Sequence, residues 1–401
     1  VSEPVIVATA RSPIGRAWKG SLVSARPDDL LATVIDTLLT SVPAVDRSTV
    51  EDVIVGTGSP RAEQGYNIAR VAAILAGMRN VPGTTVNRYC ASSLQAIRMA
   101  AHAVRADEGD VFIAGGVECV SRYPTPGADD DGYENPRFHE ARGRTDNRAE
   151  AGSAAWTPHD GLPDAYIAMG QTAENVRQLE GVSRSEMDEF ALTSQMRAAK
   201  AIADGFFQRE ITSVQMADGT TVTADDCPRP STTLEGLAAL PPVFRPDGEV
   251  TAGNSCPLND GAAAVLVMSR DWAEQLGVTP KARIVASAVT GIDPEIMGLG
   301  PVEACRRALQ RAGMTIADID LVEINEAFAA QVIPSMRRLS IPHEKLNIHG
   351  GAIALGHPFG MTGARIMCTL LNGLETTDRT LGLESMCVGG GQGMAMIVER
   401  L

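Results

Sequence analysis

Four short segments of this chain hold side chains suited to covalent chemistry. Cys90 stands in Asn87-Arg88-Tyr89-Cys90-Ala91-Ser92-Ser93, between an extended run and a helical one. A cysteine at a helix N-terminus lies at the positive end of the macrodipole, which favours thiolate. The competing reading is a small buried hydrophobe. His357 sits in Gly350–Gly360, framed by Gly356 and Pro358. Glycine lets backbone approach a ligand closely, and proline fixes the chain after the histidine. His349 is the rival and lacks that frame. Cys387 opens Cys387-Val388-Gly389-Gly390-Gly391-Gln392-Gly393, whose backbone N–H groups can form an anion or oxyanion site. As a phosphate loop it lacks the Walker lysine and the dinucleotide spacing. Asn325 follows the apolar run Leu321–Ile324 and could equally cap the next helix. Together the four supply a nucleophile, a base and oxyanion donors, which is what acyl transfer needs.

Each of these residues falls at a strand end or helix start of a repeated unit. Ile6-Val7-Ala8-Thr9-Ala10 matches Ile284-Val285-Ala286-Ser287-Ala288. Val50–Val55 matches Ile319–Ile324. The Cys90 turn and helical Leu94–Val104 match Asn347–Gly363 and helical Ala364–Leu374. Val111–Gly116 matches Met386–Gly391. The closing strand of the first unit, Ala262–Met268, is displaced far downstream, so an insertion splits that unit. The expected organisation is 1–120 with 253–276 as one half, 121–252 as the insertion, and 277–401 as the second half. The insertion carries Pro124, Pro126, Pro136, Pro158, Pro163 and an Asp129-Asp130-Asp131 run. It reads as loops plus one or two helices, over Thr172–Val176 and Arg184–Asp204. Leu30–Leu39 and Val302–Ala312 have the periodicity of surface helices. Alternating strands and helices predict an α/β fold with mainly parallel sheets covered on both faces, and ligands at the carboxyl ends of strands.

Composition removes several classes. The chain has 401 residues, 44% hydrophobic and 21% charged, with a net charge of −14. That is an ordinary globular composition, allowing two or three domains and excluding global disorder. The acidic balance argues against nucleic-acid binding. The longest apolar runs, such as Gly261–Met268, are too short to span a bilayer. No secretory leader is read at the start, and Glu399-Arg400-Leu401 is not a peroxisomal address. Seven scattered cysteines without a Cys-x-x-Cys pair argue against a disulfide framework or zinc ribbon and predict a reduced, cytoplasmic setting.

At these motifs the sequence resembles the thiolases, along essentially the whole chain. Asn87–Ser93, Met169–Asn175, Thr251–Asn254, Asn259–Ala263, Asn325–Ala329, Gly350–Gly360 and Cys387–Gly393 all appear in the family's order. The resemblance implies duplicated βαβαβαββ halves forming a five-layered α-β-α-β-α core with an inserted loop domain. It implies Cys90 as the acyl-carrying nucleophile, with His357 taking its proton. His357 and Asn325, through a water, would hold one thioester oxygen. Cys387 would move the α-proton, and the N–H groups of Cys90 and Gly389 would form a second oxyanion hole. Arg229, in Arg229–Glu235, would meet coenzyme A; read by itself it is a solvated surface arginine. Met169, Cys256 and Phe328 would lie on the substrate side. Coenzyme A and acyl-CoA are substrates, and no permanently bound cofactor is implied.

Ala168, Cys256 and Gly236 stand where some biosynthetic members carry other residues. These departures favour a degradative 3-ketoacyl-CoA thiolase of β-oxidation over a biosynthetic acetoacetyl-CoA thiolase. A carrier-dependent ketoacyl synthase would lack a second cysteine like Cys387, and a non-catalytic lipid or CoA binder would lack the nucleophile or base. The expected assembly is a homodimer or homotetramer, with a complex with other β-oxidation enzymes compatible.

Overall fold

The two Ile-Val-Ala motifs become the first strands of two matching sheets. The computed structural model describes residues 2–124, 134–150 and 154–401; Pro126 and the Asp129-Asp130-Asp131 run lie outside them. The chain runs through β1 (Pro4–Arg11), a two-residue β2 (Gly15–Arg16), α1 (Pro27–Thr40), β3 (Asp52–Gly56), α2 (Ile68–Leu75), β4 (Gly83–Val86), α3 (Ser92–Arg105) and β5 (Val111–Cys119). The inserted stretch holds α4 (His139–Ala149), α5 (Met169–Glu180), α6 (Arg184–Ala203), the hairpin β6 (Val214–Gln215) and β7 (Thr221–Val222), and α7 (Leu234–Ala238). Then come β8 (Asn259–Ser269) and α8 (Arg270–Gln275). The rest comprises β9 (Ala282–Gly291), α9 (Gly300–Ala312), β10 (Leu321–Ile324), α10 (Ala329–Leu339), α11 (Ala352–Leu355), α12 (Thr362–Thr376), β11 (Leu381–Val388) and β12 (Gln392–Arg400).

Strand pairing repeats with the sequence, and it is mixed rather than mainly parallel as expected, because the closing strand of each half runs antiparallel to both of its neighbours. β1 is antiparallel to β8, β8 antiparallel to β5, β5 parallel to β3, and β3 parallel to β4. In the second copy β9 is antiparallel to β12, β12 antiparallel to β11, and β11 parallel to β10. A single parallel bridge, Val322 to Leu346, stands in the place of the β3–β4 pair. The irregularity repeats too. Register slips at Val7 of β1, between Ile6 and Ala8, and at Val285 of β9, where Ile397 and Val398 of β12 pair with Ala286 and Ile284. β1 and β9 touch at Val5–Arg283 and Ile6–Ala282, which joins the two sheets.

The apolar residues sort into layers, as a two-faced sheet requires. Leu31, Val34, Ile35 and Leu38 of α1, with Ile68 and Ala72 of α2, cover Val53, Val55 and Leu266 on one outer face. Val302 and Leu309 of α9, with Val332 and Ile333 of α10, cover Leu383, Ala395 and Ile397 on the other. Between the sheets, Leu94 and Ile97 of α3 and Ile366, Met367 and Leu370 of α12 pack against Ile54 and Val265 on one side and Met386 and Met396 on the other. The order is α-β-α-β-α. Every residue of α12 from Thr362 to Leu374 is buried, as expected of a helix without a polar face. A Cβ on Gly363 would strike the backbone nitrogen of Leu94, so the two central helices meet at their N-termini with no space to spare.

The insertion is more helical than its sequence reads. It contains α4, α5, α6 and α7 rather than one or two helices, and α5 extends well beyond Thr172–Val176. α4 shows no stripe because only Ala141 and Thr145 of its 11 residues are buried. α6 starts at a capping box of Ser183 and Glu186, which satisfies two end donors. Arg11, fully buried at the end of β1, fastens the insertion to the first sheet. Its Nε donates to Glu210 at 2.7 Å and its two Nη atoms to Asp225 at 2.8 and 3.0 Å. Removing one partner of such a buried pair costs about 3–5 kcal/mol, because the remaining charges are left uncompensated.

Candidate active site

Cys90 lies in a tight turn between β4 and α3, and that turn is held by side chains. Tyr89 sits at φ +42°, a left-handed conformation that costs a non-glycine residue on the order of 1–3 kcal/mol. Asn87 Oδ1 accepts from Tyr89 N–H at 2.7 Å, while Asn87 Nδ2 donates to Gly58 C=O at 3.1 Å. Ser92 Oγ accepts from Arg88 N–H at 2.9 Å and donates to Tyr89 C=O at 2.6 Å. The result is a thiol immediately before the start of α3, only 7% exposed. It faces a cavity of about 380 Å³ whose walls include Tyr89, Met169, Phe359, Gly389 and Gly390.

His357 lies in the loop between α11 and α12, ahead of the second central helix. Its backbone N–H donates to Asn259 Oδ1 at 2.9 Å, and its ring meets Phe359 edge to face at 5.1 Å. Thr362 Oγ1 lies 2.6 Å from His357 Nδ1 and 2.8 Å from the Pro358 carbonyl. A carbonyl only accepts, so the single hydroxyl proton goes to Pro358 and the Thr362 oxygen accepts from Nδ1–H. That assigns the ring proton to Nδ1 and leaves the Nε2 lone pair open. Nε2 is buried and has no hydrogen-bond partner among the described residues. Burial, and then the positive Arg365, push the imidazole pKa down to about 3. The ring is therefore a neutral acceptor throughout the working pH range. Thr362→Val should slow acylation of Cys90 by about tenfold, through loss of one buried hydrogen bond and of tautomer control. Single-turnover labelling by acyl-CoA measures this; an unchanged rate would mean that another group orients the ring.

Three thiols gather at this place. Cys387, fully buried at the end of β11, is held well above the usual thiol range by burial, and then by the charges Cys90 and Cys256 would carry. The half-buried Cys256 thiol is likewise raised by burial and then by Cys90. Two residues past Cys387, Gly389 lines the cavity, and a Cβ there would touch Tyr89 and the Met169 sulfur. Gly390 and Gly391 have φ of +73° and +78°, and a side chain on Gly391 would collide with the Ile292 carbonyl. Asn325 does not cap α10, which begins at Ala329 with Phe328 in the capping position. Both polar atoms of its buried side chain are without a partner among the described residues, a state that calls for a ligand or an ordered water.

The family model described as the thiolase N-terminal domain matches residues 4–271, and that of the thiolase C-terminal domain matches residues 278–400. The chain belongs to the thiolase family. A 3-ketoacyl-CoA thiolase of Aeromonas hydrophila is 44% identical over 100% of both chains. A beta-ketoadipyl-CoA thiolase of Acinetobacter baylyi is 43% identical over 99% of both. The crystal structure of the Bacillus anthracis acetyl-CoA acetyltransferase superposes with a TM-score of 0.87 at 37% identity, over 100% of this chain and 99% of that one.

In this thiolase the other expected residues divide. Met169 lines the cavity. Cys256 is tied to the Asn325 segment by its N–H to the Ala327 carbonyl at 3.0 Å and by the Ser255–Phe328 bridge. Phe328 is buried against Phe244 and does not line the cavity. Arg229 is exposed, its N–H bonded to Gln195, and the structure does not bring it to the cavity either. His349 stacks on Phe206 at 3.7 Å beside a separate cavity of about 470 Å³. Sequence reasoning missed Thr362, Tyr123 and the Gly58–Arg61 wall. Thr362 was within reach, five residues after His357. The wall carries no local motif.

Proposed function

We propose that this thiolase cleaves 3-ketoacyl-CoA with coenzyme A to give acetyl-CoA and a shortened acyl-CoA. The reading is supported by Cys90 lining a cavity with Gly389 and Phe359, each two residues beyond a further candidate: Gly389 after Cys387, and Phe359 after His357 with its open Nε2. Nε2 takes the Cys90 proton, and the sulfur attacks the 3-keto carbon. The tetrahedral oxyanion is held by the N–H groups of Cys90 and Gly389. The C2–C3 bond then breaks, leaving the acyl group on Cys90 and an acetyl-CoA enolate. His357 and Asn325, through a water, hold the enolate oxygen, and neutral Cys387 gives C2 its proton. Coenzyme A gives its thiol proton to the Cys387 thiolate and attacks the Cys90 thioester, and the departing Cys90 sulfur takes back the proton held by His357. In the reverse direction the same Cys387 group, as thiolate, takes the α-proton of acetyl-CoA.

The cavity walls carry Tyr89, Tyr123, Tyr166 and Phe359, an aromatic lining that favours longer or ring-bearing acyl chains over acetoacetyl-CoA synthesis. Arg229 is assigned to coenzyme A outside this cavity. We keep the division into 1–120 with 253–276, 121–252 and 277–401. The working form is a homodimer or homotetramer, supported by Tyr66 at 95% exposure beside the edge strand β4. Among the described residues no helix is long and apolar enough to cross a membrane. The seven thiols favour the reduced cytoplasm. The test is thiolysis measured across 3-ketoacyl-CoA chain lengths, with one bulky ring-bearing substrate. Activity on acetoacetyl-CoA alone would shift the reading to the biosynthetic direction; activity on none would end it.

A further inference from the structure

Glu118 lies behind the cavity, fully buried near the end of β5, and its carboxylate gathers the loops that form the cavity wall. Oε2 accepts from Gly58 N–H at 2.6 Å and from Gly360 N–H at 2.8 Å. Oε1 accepts from the Tyr123 hydroxyl at 2.8 Å, from Ser59 N–H at 3.3 Å, from Thr57 Oγ1 at 3.4 Å and from Gln64 Nε2. Gly58, Ser59, Tyr123 and Phe359 all line the cavity with Cys90. Gly360 follows Phe359 in the loop that carries His357, and that loop rests on bare backbone. A Cβ on Gly116 would strike the Gly360 carbonyl, and one on Gly58 would lie 2.9 Å from both Phe359 Cβ and Glu118 Oε2. Every other group in this cluster presents a donor, so only a carboxylate completes it.

We propose that Glu118 is a positioning residue for the reaction: by tying the loop after β3 to the His357 loop, its carboxylate sets the distance between the Cys90 turn, the imidazole and the acyl wall. The inference rests on the thiolase reading of the site. An amide cannot replace the carboxylate, because in either orientation its NH₂ group meets N–H donors. Aspartate keeps the charge but is one methylene too short to bridge both loops.

The test uses Glu118→Gln, Glu118→Asp and Tyr123→Phe in the full chain. Radiolabelled acetyl-CoA, quenched in acid, counts the sites that take up acyl group, so misfolded protein drops out of the count. Turnover is then expressed per labelled site. Displacing reacting groups by about 1 Å costs on the order of 10²-fold. Glu118→Gln should therefore lose about that factor in kcat per site, while the KM for coenzyme A changes by less than about threefold. Glu118→Asp should not rescue, and Tyr123→Phe should show a smaller fall of about threefold. Wild-type kcat per site in the Glu118 variants, with only a lower melting midpoint, would overturn the proposal. Should neither Glu118 variant fold, an unchanged kcat per site in Tyr123→Phe would overturn it. A wild-type protein that takes no label defeats the thiolase reading itself, whereas a labelling wild type with unaffected variants defeats this inference alone.

Discussion

Cys90→Ala should lose thiolysis by on the order of 10⁴-fold or more while the protein stays folded and still binds coenzyme A. No other thiol can take its place. Cys387 is fully buried, and the other cysteines are inert by environment: burial raises Cys256, pushes Cys227 up to about 11 and Cys305 and Cys368 up to about 12, and holds Cys119 well above the ordinary range. The loss of stability should stay near 1 kcal/mol, because the side chain shrinks by one atom at a cavity edge. In the wild type, iodoacetamide should modify Cys90 long before Cys119, Cys305 or Cys368, and acyl-CoA should slow that modification. Peptide mapping that finds even labelling would remove the case for a nucleophile at this turn. So would a Cys90→Ala protein that keeps more than a small fraction of its activity.

Cys387→Ala should divide the reaction in two. The variant keeps Cys90, the His357 lone pair and the Gly389 turn, so acetyl-CoA should still leave an acid-stable label. Condensation, cleavage of 3-ketoacyl-CoA and exchange of the α-protons of acetyl-CoA in deuterated water should all fall by roughly 10²–10⁴-fold, the range for a lost general acid or base. The alternative, in which Cys387 only fills space beside Gly389–Gly391, leaves exchange untouched. Measuring exchange therefore separates the two without any assumption about acyl length. A folded Cys387→Ala protein that takes no label would show that the two cysteines do not divide the work in this way.

The sequence made the repeat legible because strands buried on both faces leave near-continuous apolar runs. The match of Ile6–Ala10 with Ile284–Ala288 extends to the irregular residue in each strand. The site loops were legible for a related reason. Close backbone approach forces glycine, and glycine beside cysteine or histidine is conspicuous. The inserted segment was less legible because α4 is polar all round and its apolar partners lie elsewhere in the chain. The cavity wall was not legible at all. Gly58 meets Phe359, and Glu118 meets Gly360, across hundreds of residues, and no periodicity encodes such meetings. Arg229 shows the converse: its surrounding motif is plain, yet its side chain belongs to another part of the surface.

The contact between Gly363 and Leu94 has one more consequence. It makes the cavity beside Cys90 a seam. Cys90 stands on one side of that seam, and His357 and Cys387 on the other, so any acyl-CoA that engages both sides grips two structural units at once. By mass action such a ligand adds RT ln(1 + [L]/Kd) to the cohesion of the chain, about 2.7 kcal/mol when present at a hundred times its dissociation constant. In a cell rich in substrate this thiolase is therefore more cohesive than the same chain starved of it.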